Sequence, residues 1–232
     1  MYLAWRDLVR TIVDGGYFLK EYLREEGDSG VFLADSPEGN TVEVRVAQAD
    51  GDTADKYSQR WSAAARLSHP NLIRTLRSGR FRIDGAGYLF LISERPDEVL
   101  QDVLVERPLT GEEARRVLQS SLEALHYLHD NGFVHGGIDP SQIVAIDEQI
   151  KISATRLDLL PIDAALAGQA LADETQAIGR TCIRMLTQEE TDSAGNELPA
   201  PFNEFARASL AADRAGAHAG RPGVPQRRWR TL

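Results

Sequence analysis

Apolar positions at Leu3, Leu8, Ile12 and Val13 follow a helical spacing until Asp14-Gly15-Gly16 stops the run, so residues 1–16 are expected to hold a short amphipathic helix. From Tyr17 the period shortens to that of a strand. Strands are expected over 17–23, 30–34 and 41–47, the last with Val42, Val44 and Val46 in strict alternation. Ser36-Pro37-Glu38-Gly39-Asn40 supplies the turn before it. A polar loop over 50–55 leads into a helix running to Leu67, and two further strands are expected over 72–82 and 87–93.

Beyond Glu94 the pattern turns helical. Thr110 with Glu113 forms a capping box, and Ala114, Val117, Leu118, Leu122, Leu125 and Leu128 mark a buried stripe. Two short strands are expected over 142–146 and 149–152, then helices over 173–186 and 201–211. Strands first and helices later predict an α+β protein of two lobes. The tail from Gly216, rich in Gly, Pro and Arg, carries no apolar period.

Composition narrows the function. The 232 residues are 42% hydrophobic and 26% charged, which is globular. A net charge of -9 leaves no excess of cation to neutralise phosphates, so nucleic acid is excluded as a partner. One cysteine, Cys182, rules out an internal disulfide and a cysteine-based zinc cluster. With no run long enough to span a bilayer and no signal-peptide pattern in Met1–Asp7, the expected location is the cytoplasm, without membrane insertion. Lysine is scarce: only Lys20, Lys56 and Lys151 occur.

Two strings carry a resemblance: Leu67-Ser68-His69-Pro70-Asn71-Leu72, and Leu125-His126-Tyr127-Leu128-His129-Asp130-Asn131-Gly132-Phe133-Val134-His135. In this order and spacing they are similar to the bacterial eukaryotic-like Ser/Thr protein kinase family, over about Tyr17 to Ala211. The resemblance implies an α+β, two-lobed protein-kinase-like fold. Its small N-lobe is mainly antiparallel β with one helix, and its C-lobe is reduced and mainly helical. The expected division is a helix over 1–16, an N-lobe over 17–94, a C-lobe over 95–215 and an Arg/Pro-rich tail over 216–232. His126 and His129, three apart on a helix, belong to the motif and are not read as metal ligands.

Phosphoryl transfer in this family uses a Gly-rich loop, a strand lysine paired with a helix glutamate, a catalytic-loop aspartate, and an Asn and an Asp on magnesium. Matched to those motifs, the glycine positions hold Arg24, Glu26 and Ser29, with Gly27 and Gly30 off the spacing. The lysine position holds Arg45, its helix partner Arg60, and the residue roofing the base Glu43. Arg45 is expected to pair with Glu43 or another nearby carboxylate. The general-base position holds Gly137, the magnesium-binding Asn position Gln142, and the magnesium-binding Asp position Ala154. Asp139, at the usual catalytic-loop lysine position, is the candidate for a displaced base. Glu174 stands where an Asp is usual, and the stretch from Arg156 to Glu174 is roughly half of what the family uses for an activation segment.

The resemblance therefore implies a degenerate member, a pseudokinase with no catalytic residue, metal or cofactor. Gly27, Gly30, Glu43, Arg45, Leu91 and Ser93 are what remains of its nucleotide pocket, and ATP–magnesium binding is not expected. The expected role is a scaffold or regulatory module in signalling that binds a protein partner. Candidate contacts are Trp5 and Leu8, and Arg227, Arg228, Trp229 and Arg230 in the tail, which suit an acidic partner. The alternative is a nucleotide-binding or weakly active atypical Ser/Thr kinase.

Overall fold

The computed structural model describes residues 4–50, 53–189 and 198–212. The chain divides into two compact units, Met1–Pro96 and Asp97–Leu232.

The first unit is built on a six-stranded antiparallel sheet. Its strands are β1 (Ile12–Val13), β2 (Tyr17–Glu26), β3 (Ser29–Asp35), β4 (Thr41–Gln48), β5 (Thr75–Ile83) and β6 (Ala86–Glu94), in the order β1-β2-β3-β4-β6-β5. β4 and β6 lie inside the sheet and are buried on both faces, which explains the continuous apolar run Tyr88–Ile92 of β6, while β4 sets Glu43 and Arg45 on the face opposite its valines. One face carries Val42, Val44 and Val46 beside Phe90 and Ile92, and Phe81 stacks on Tyr88 there. The other face packs Ala47, Leu89 and Leu91 against Trp61 of helix α1 (Ala54–Ala64).

The N-terminal segment departs from the expected helix. Trp5–Leu8 is a single 3₁₀ turn, and the chain then runs into β1, which pairs with β2. Arg10 and Asp14 adopt φ of 76° and 51°, and these left-handed residues break any continuous helix. A turn followed by a strand brings Leu8 and Val13 inward while Ile12 faces out, and that imitates a helical spacing over so short a run. The reading of Leu8 as a partner contact is corrected with it, while Trp5 stays half-buried. Leu8 is fully buried in the unit's own core, and Trp5 lies over Gly30, where a Cβ would come within 2.9 Å of the indole.

The second unit contains helices α2 (Leu100–Glu106), α3 (Gly111–Asp130), α4 (Ala164–Thr187) and α5 (Phe202–Leu210). Two small sheets join them: β7 (Glu98–Val99), β9 (Ile143–Ile146) and β10 (Gln149–Ile152) in the order β10-β9-β7, and β8 (Phe133–His135) with β11 (Leu157–Leu159). The Thr110–Glu113 capping box is present at the start of α3. Arg107 clasps the same Glu113 carboxylate at 2.8 and 3.0 Å, and these contacts with the Thr110 bonds lower its pKa to about 2. α4 begins well before the expected position 173. Asp163 caps it, accepting from the backbone N–H groups of Ala165 and Leu166 at 3.0 Å each.

Leu8→Ala tests the N-terminal segment as core: removing this buried side chain should cost about 2–5 kcal/mol, read as a lowered thermal unfolding midpoint. A surface-docked segment would leave the midpoint unchanged.

Candidate functional site

The residues matched to the family's functional positions fall into one group in each unit. In the first unit, β-strand alternation puts Glu43 and Arg45 on the same face of β4, and the register sets Arg45 opposite Val31 of β3 and Leu91 of β6. Arg45 Nη1 lies 2.6 Å from Glu43 Oε1, and its Nε lies 3.3 Å from Glu26 Oε2. Arg24 closes the ring from β2, with Nη2 2.6 Å from Glu26 and 3.5 Å from Glu43. The pairing expected for Arg45 with Glu43 is present, and Glu26 and Arg24 extend it.

This cluster of two arginines and two glutamates is closely balanced in charge. Burial opposes the charge on Arg45, but Glu43 and Glu26 outweigh it and hold the guanidinium above its ordinary range. Burial likewise opposes ionisation of Glu26, yet Arg45 and Arg24 keep its carboxyl below the usual value. The carboxylates that satisfy Arg45 therefore come from strands. Arg60, at the helix-partner position, is half-buried on α1.

Gly27 and Asp28 form a tight two-residue turn between the paired Glu26 and Ser29, with Gly27 at φ 59°. The Asp28 N–H donates to the Tyr57 hydroxyl at 3.2 Å. Glu43, Arg45, Leu91 and Ser93 are all buried and share one face of the sheet by register. Two grooves of about 420 and 210 Å³ indent this unit, and neither is lined by any of the six residues matched to the nucleotide pocket.

In the second unit the buried Glu174 of α4 is the organising group. Its Oε2 accepts from the His135 backbone N–H at 2.5 Å, and its Oε1 meets His129 Nε2. His135 is buried, and its Nε2 lies 2.9 Å from the Ser153 carbonyl. Burial is the main influence on this imidazole and lowers its pKa against the attraction of Glu174.

The following residues form an irregular loop. The Gly136 N–H donates to the Arg156 carbonyl at 2.6 Å, and a Cβ on Gly136 would meet Asp158 Oδ2 at 2.6 Å. Gly137 sits at φ 139°, a conformation that L side chains rarely adopt, and a Cβ there would lie 3.7 Å from Arg156 Nη1. Arg156 Nη1 is paired with Asp139 Oδ2 at 3.1 Å. Asp139 Oδ1 caps the short 3₁₀ turn Pro140–Gln142, accepting from the Ser141 N–H at 2.7 Å and the Ser141 hydroxyl at 2.5 Å. Gln142 is buried, its Nε2 donates to Ser141 Oγ at 3.0 Å, and its Oε1 has no partner. Ala154 is buried as well. Among the described residues no group of three or more His, Cys, Asp and Glu could hold a metal ion.

Sequence reasoning missed the Arg24–Glu26 half of the first cluster, although Arg24, Glu26, Glu43 and Arg45 stand two apart in pairs on strands. It also missed the Arg156–Asp139 pair and the contact of His129 with Glu174, for which no sequence signal exists beyond the residues' own polarity. Arg227, Arg228, Trp229 and Arg230 lie outside the described residues.

These two groups sit on a protein-kinase-like α+β fold. The PknI kinase domain of Mycobacterium tuberculosis superposes with a TM-score of 0.62 at 19% identity, covering 92% of this chain and all of that one. A Rad53 structure in complex with AMP-PNP gives a TM-score of 0.68 at 15% identity over 87% of this chain and 62% of that one. In sequence the chain is 29% identical to the Ser/Thr protein kinase PknB of Mycobacterium tuberculosis over 172 residues, 71% of this chain and 26% of the relative. It is 27% identical to the kinase PksC of Streptomyces coelicolor over 146 residues, 58% of this chain and 26% of that one. The chain thus spans about a quarter of the length of these curated relatives. No family model matches it. Among the described residues no helix is long and apolar enough to cross a membrane.

Two measurements test the clusters. Arg45→Met strands the buried Glu43 carboxylate and should cost about 3–5 kcal/mol in chemical denaturation, and adding Glu43→Met should recover part of that loss. The depressed pKa of His135 makes its contribution to stability full above the unfolded value of about 6.5 and lost as pH falls from there toward the folded value. The unfolding midpoint should therefore drop between neutral and mildly acid pH, and His135→Gln should flatten that part of the profile.

Proposed function

We propose that this chain is a pseudokinase, a protein-kinase-like domain without phosphotransferase activity that serves signalling as a protein-binding scaffold or regulatory module. One observation carries the reading: Gly137, at the position of the general base, has no side chain and a φ of 139°, with the Arg156 guanidinium close to where a side chain would begin. A base needs an acceptor within hydrogen-bond reach of the proton it removes. Asp139, the nearest carboxylate in sequence, is engaged by Arg156 and by the Ser141 cap.

The residues also fit a magnesium–nucleotide complex poorly. Magnesium takes oxygen ligands, which the Ala154 methyl cannot supply; Gln142 keeps an unpartnered Oε1 but is buried, with its Nε2 on Ser141. In the first unit Arg45 is already neutralised by Glu43 and Glu26, and the Gly27–Asp28 turn is flanked by carboxylates. A triphosphate would meet like charge there.

Titration with ATP and Mg²⁺ in a thermal-shift assay should produce no saturable stabilisation; a midpoint rising as RT ln(1 + [L]/Kd) would overturn the reading. Gly137→Asp should lower stability by roughly 1–3 kcal/mol through its backbone strain and confer no turnover in a radiolabel transfer assay. Activity in that variant would point to the atypical-kinase alternative.

A further inference from the structure

The connection from β11 to α4 exposes apolar side chains that nothing described in the second unit covers. Leu159, Ile162 and Leu166 are 69%, 105% and 63% exposed. The C-terminal half of α4 buries Ile178, Cys182, Ile183 and Met185, whereas its first ten residues bury none. Helical spacing sets Asp163, Leu166, Ala170 and Asp173 on one side of α4, so carboxylates flank the apolar residues. No lysine, arginine or histidine occurs between Arg156 and Arg180.

The chain carries a segment of complementary chemistry. Residues 213–232 contain five arginines against one aspartate, in a protein of net charge -9, and they contain Trp229 within Arg227-Arg228-Trp229-Arg230. We propose that the acidic, apolar face formed by Leu159, Ile162, Leu166 and Asp163 is the docking site of the chain's own Arg221–Arg230 segment. Trp229 covers the apolar residues, and the flanking arginines meet the carboxylates. The reach is sufficient. α5 ends at Leu210 and packs on α4 at Gly179, whose Cβ position lies 2.7 Å from Ser209. From Gly179 back to Leu166 is about 20 Å along a helix, whereas the chain from Leu210 to Trp229 can extend roughly 60 Å. This inference is independent of whether the fold binds nucleotide.

Hydrogen exchange on the full chain reads the face, and limited trypsin cleavage reads the segment. Arg227→Glu/Arg228→Glu/Arg230→Glu and Trp229→Ala should each speed amide exchange over 159–168 by about fivefold or more, with α3 unaffected. Raising the salt should act in the same direction. Conversely Ile162→Asp with Leu166→Asp, both at exposed positions, should speed trypsin cleavage after Arg227 and Arg228 by about fivefold or more relative to the parent chain. Exchange and cleavage unchanged by these variants would overturn the proposal. Protection that rises with protein concentration would also overturn it, assigning the face to a second copy.

Discussion

A guanidinium withdrawn from water inside a β-sheet has to be matched there, and the match made for Arg45 ties β2 to β4 across the intervening β3. Each buried ion costs several kcal/mol to desolvate, so a lone Arg45 would not be tolerated. Glu43 supplies the close partner, Glu26 a second contact, and Arg24 returns the balance. A one-residue slip between these strands would turn half of the cluster to the opposite face among valines and phenylalanine. The polar cluster therefore adds to the apolar face in specifying the register of the sheet.

The second unit uses one carboxylate in a comparable way. Glu174 holds the His135 N–H and His129 together from the middle of α4, so a single side chain fixes β8 and α3 against that helix. Beyond His135 the order changes character. Gly136 lets the backbone approach Arg156 and Asp158 more closely than a Cβ would allow, and Gly137 takes a φ that L side chains rarely adopt. The path of this loop and the absence of side chains at its two glycines are thus linked: the conformation that the chain takes here favours residues without a Cβ.

Much of this was legible from residue order. Val42, Val44 and Val46 alternate because strand side chains point to opposite faces and the other face of β4 carries Glu43 and Arg45, and the Thr110–Glu113 box announces α3 because capping is local chemistry. The kinase-like fold followed from two motif strings. What escaped has identifiable causes. β7, β8 and β11 are two or three residues long, too short to display a period. The first half of α4 is alanine-rich and faces no core, so it shows no apolar stripe. The N-terminal turn and β1 imitate a helix because four apolar residues cannot distinguish the two. At the site, residue identities at the matched positions were readable, but the φ of Gly137 and the partners of Asp139 arise from the folded loop.

The direct passage from β11 into α4 through Leu160–Asp163 has a consequence for how such a domain could be controlled. From Leu157 to Glu174 the sequence holds no serine, threonine or tyrosine. A stretch without hydroxyls gives a Ser/Thr or Tyr kinase no acceptor, so no phosphate ester can be written there. Control by phosphate esters would have to enter from residues outside this stretch, such as the flanking Thr155 and Thr175.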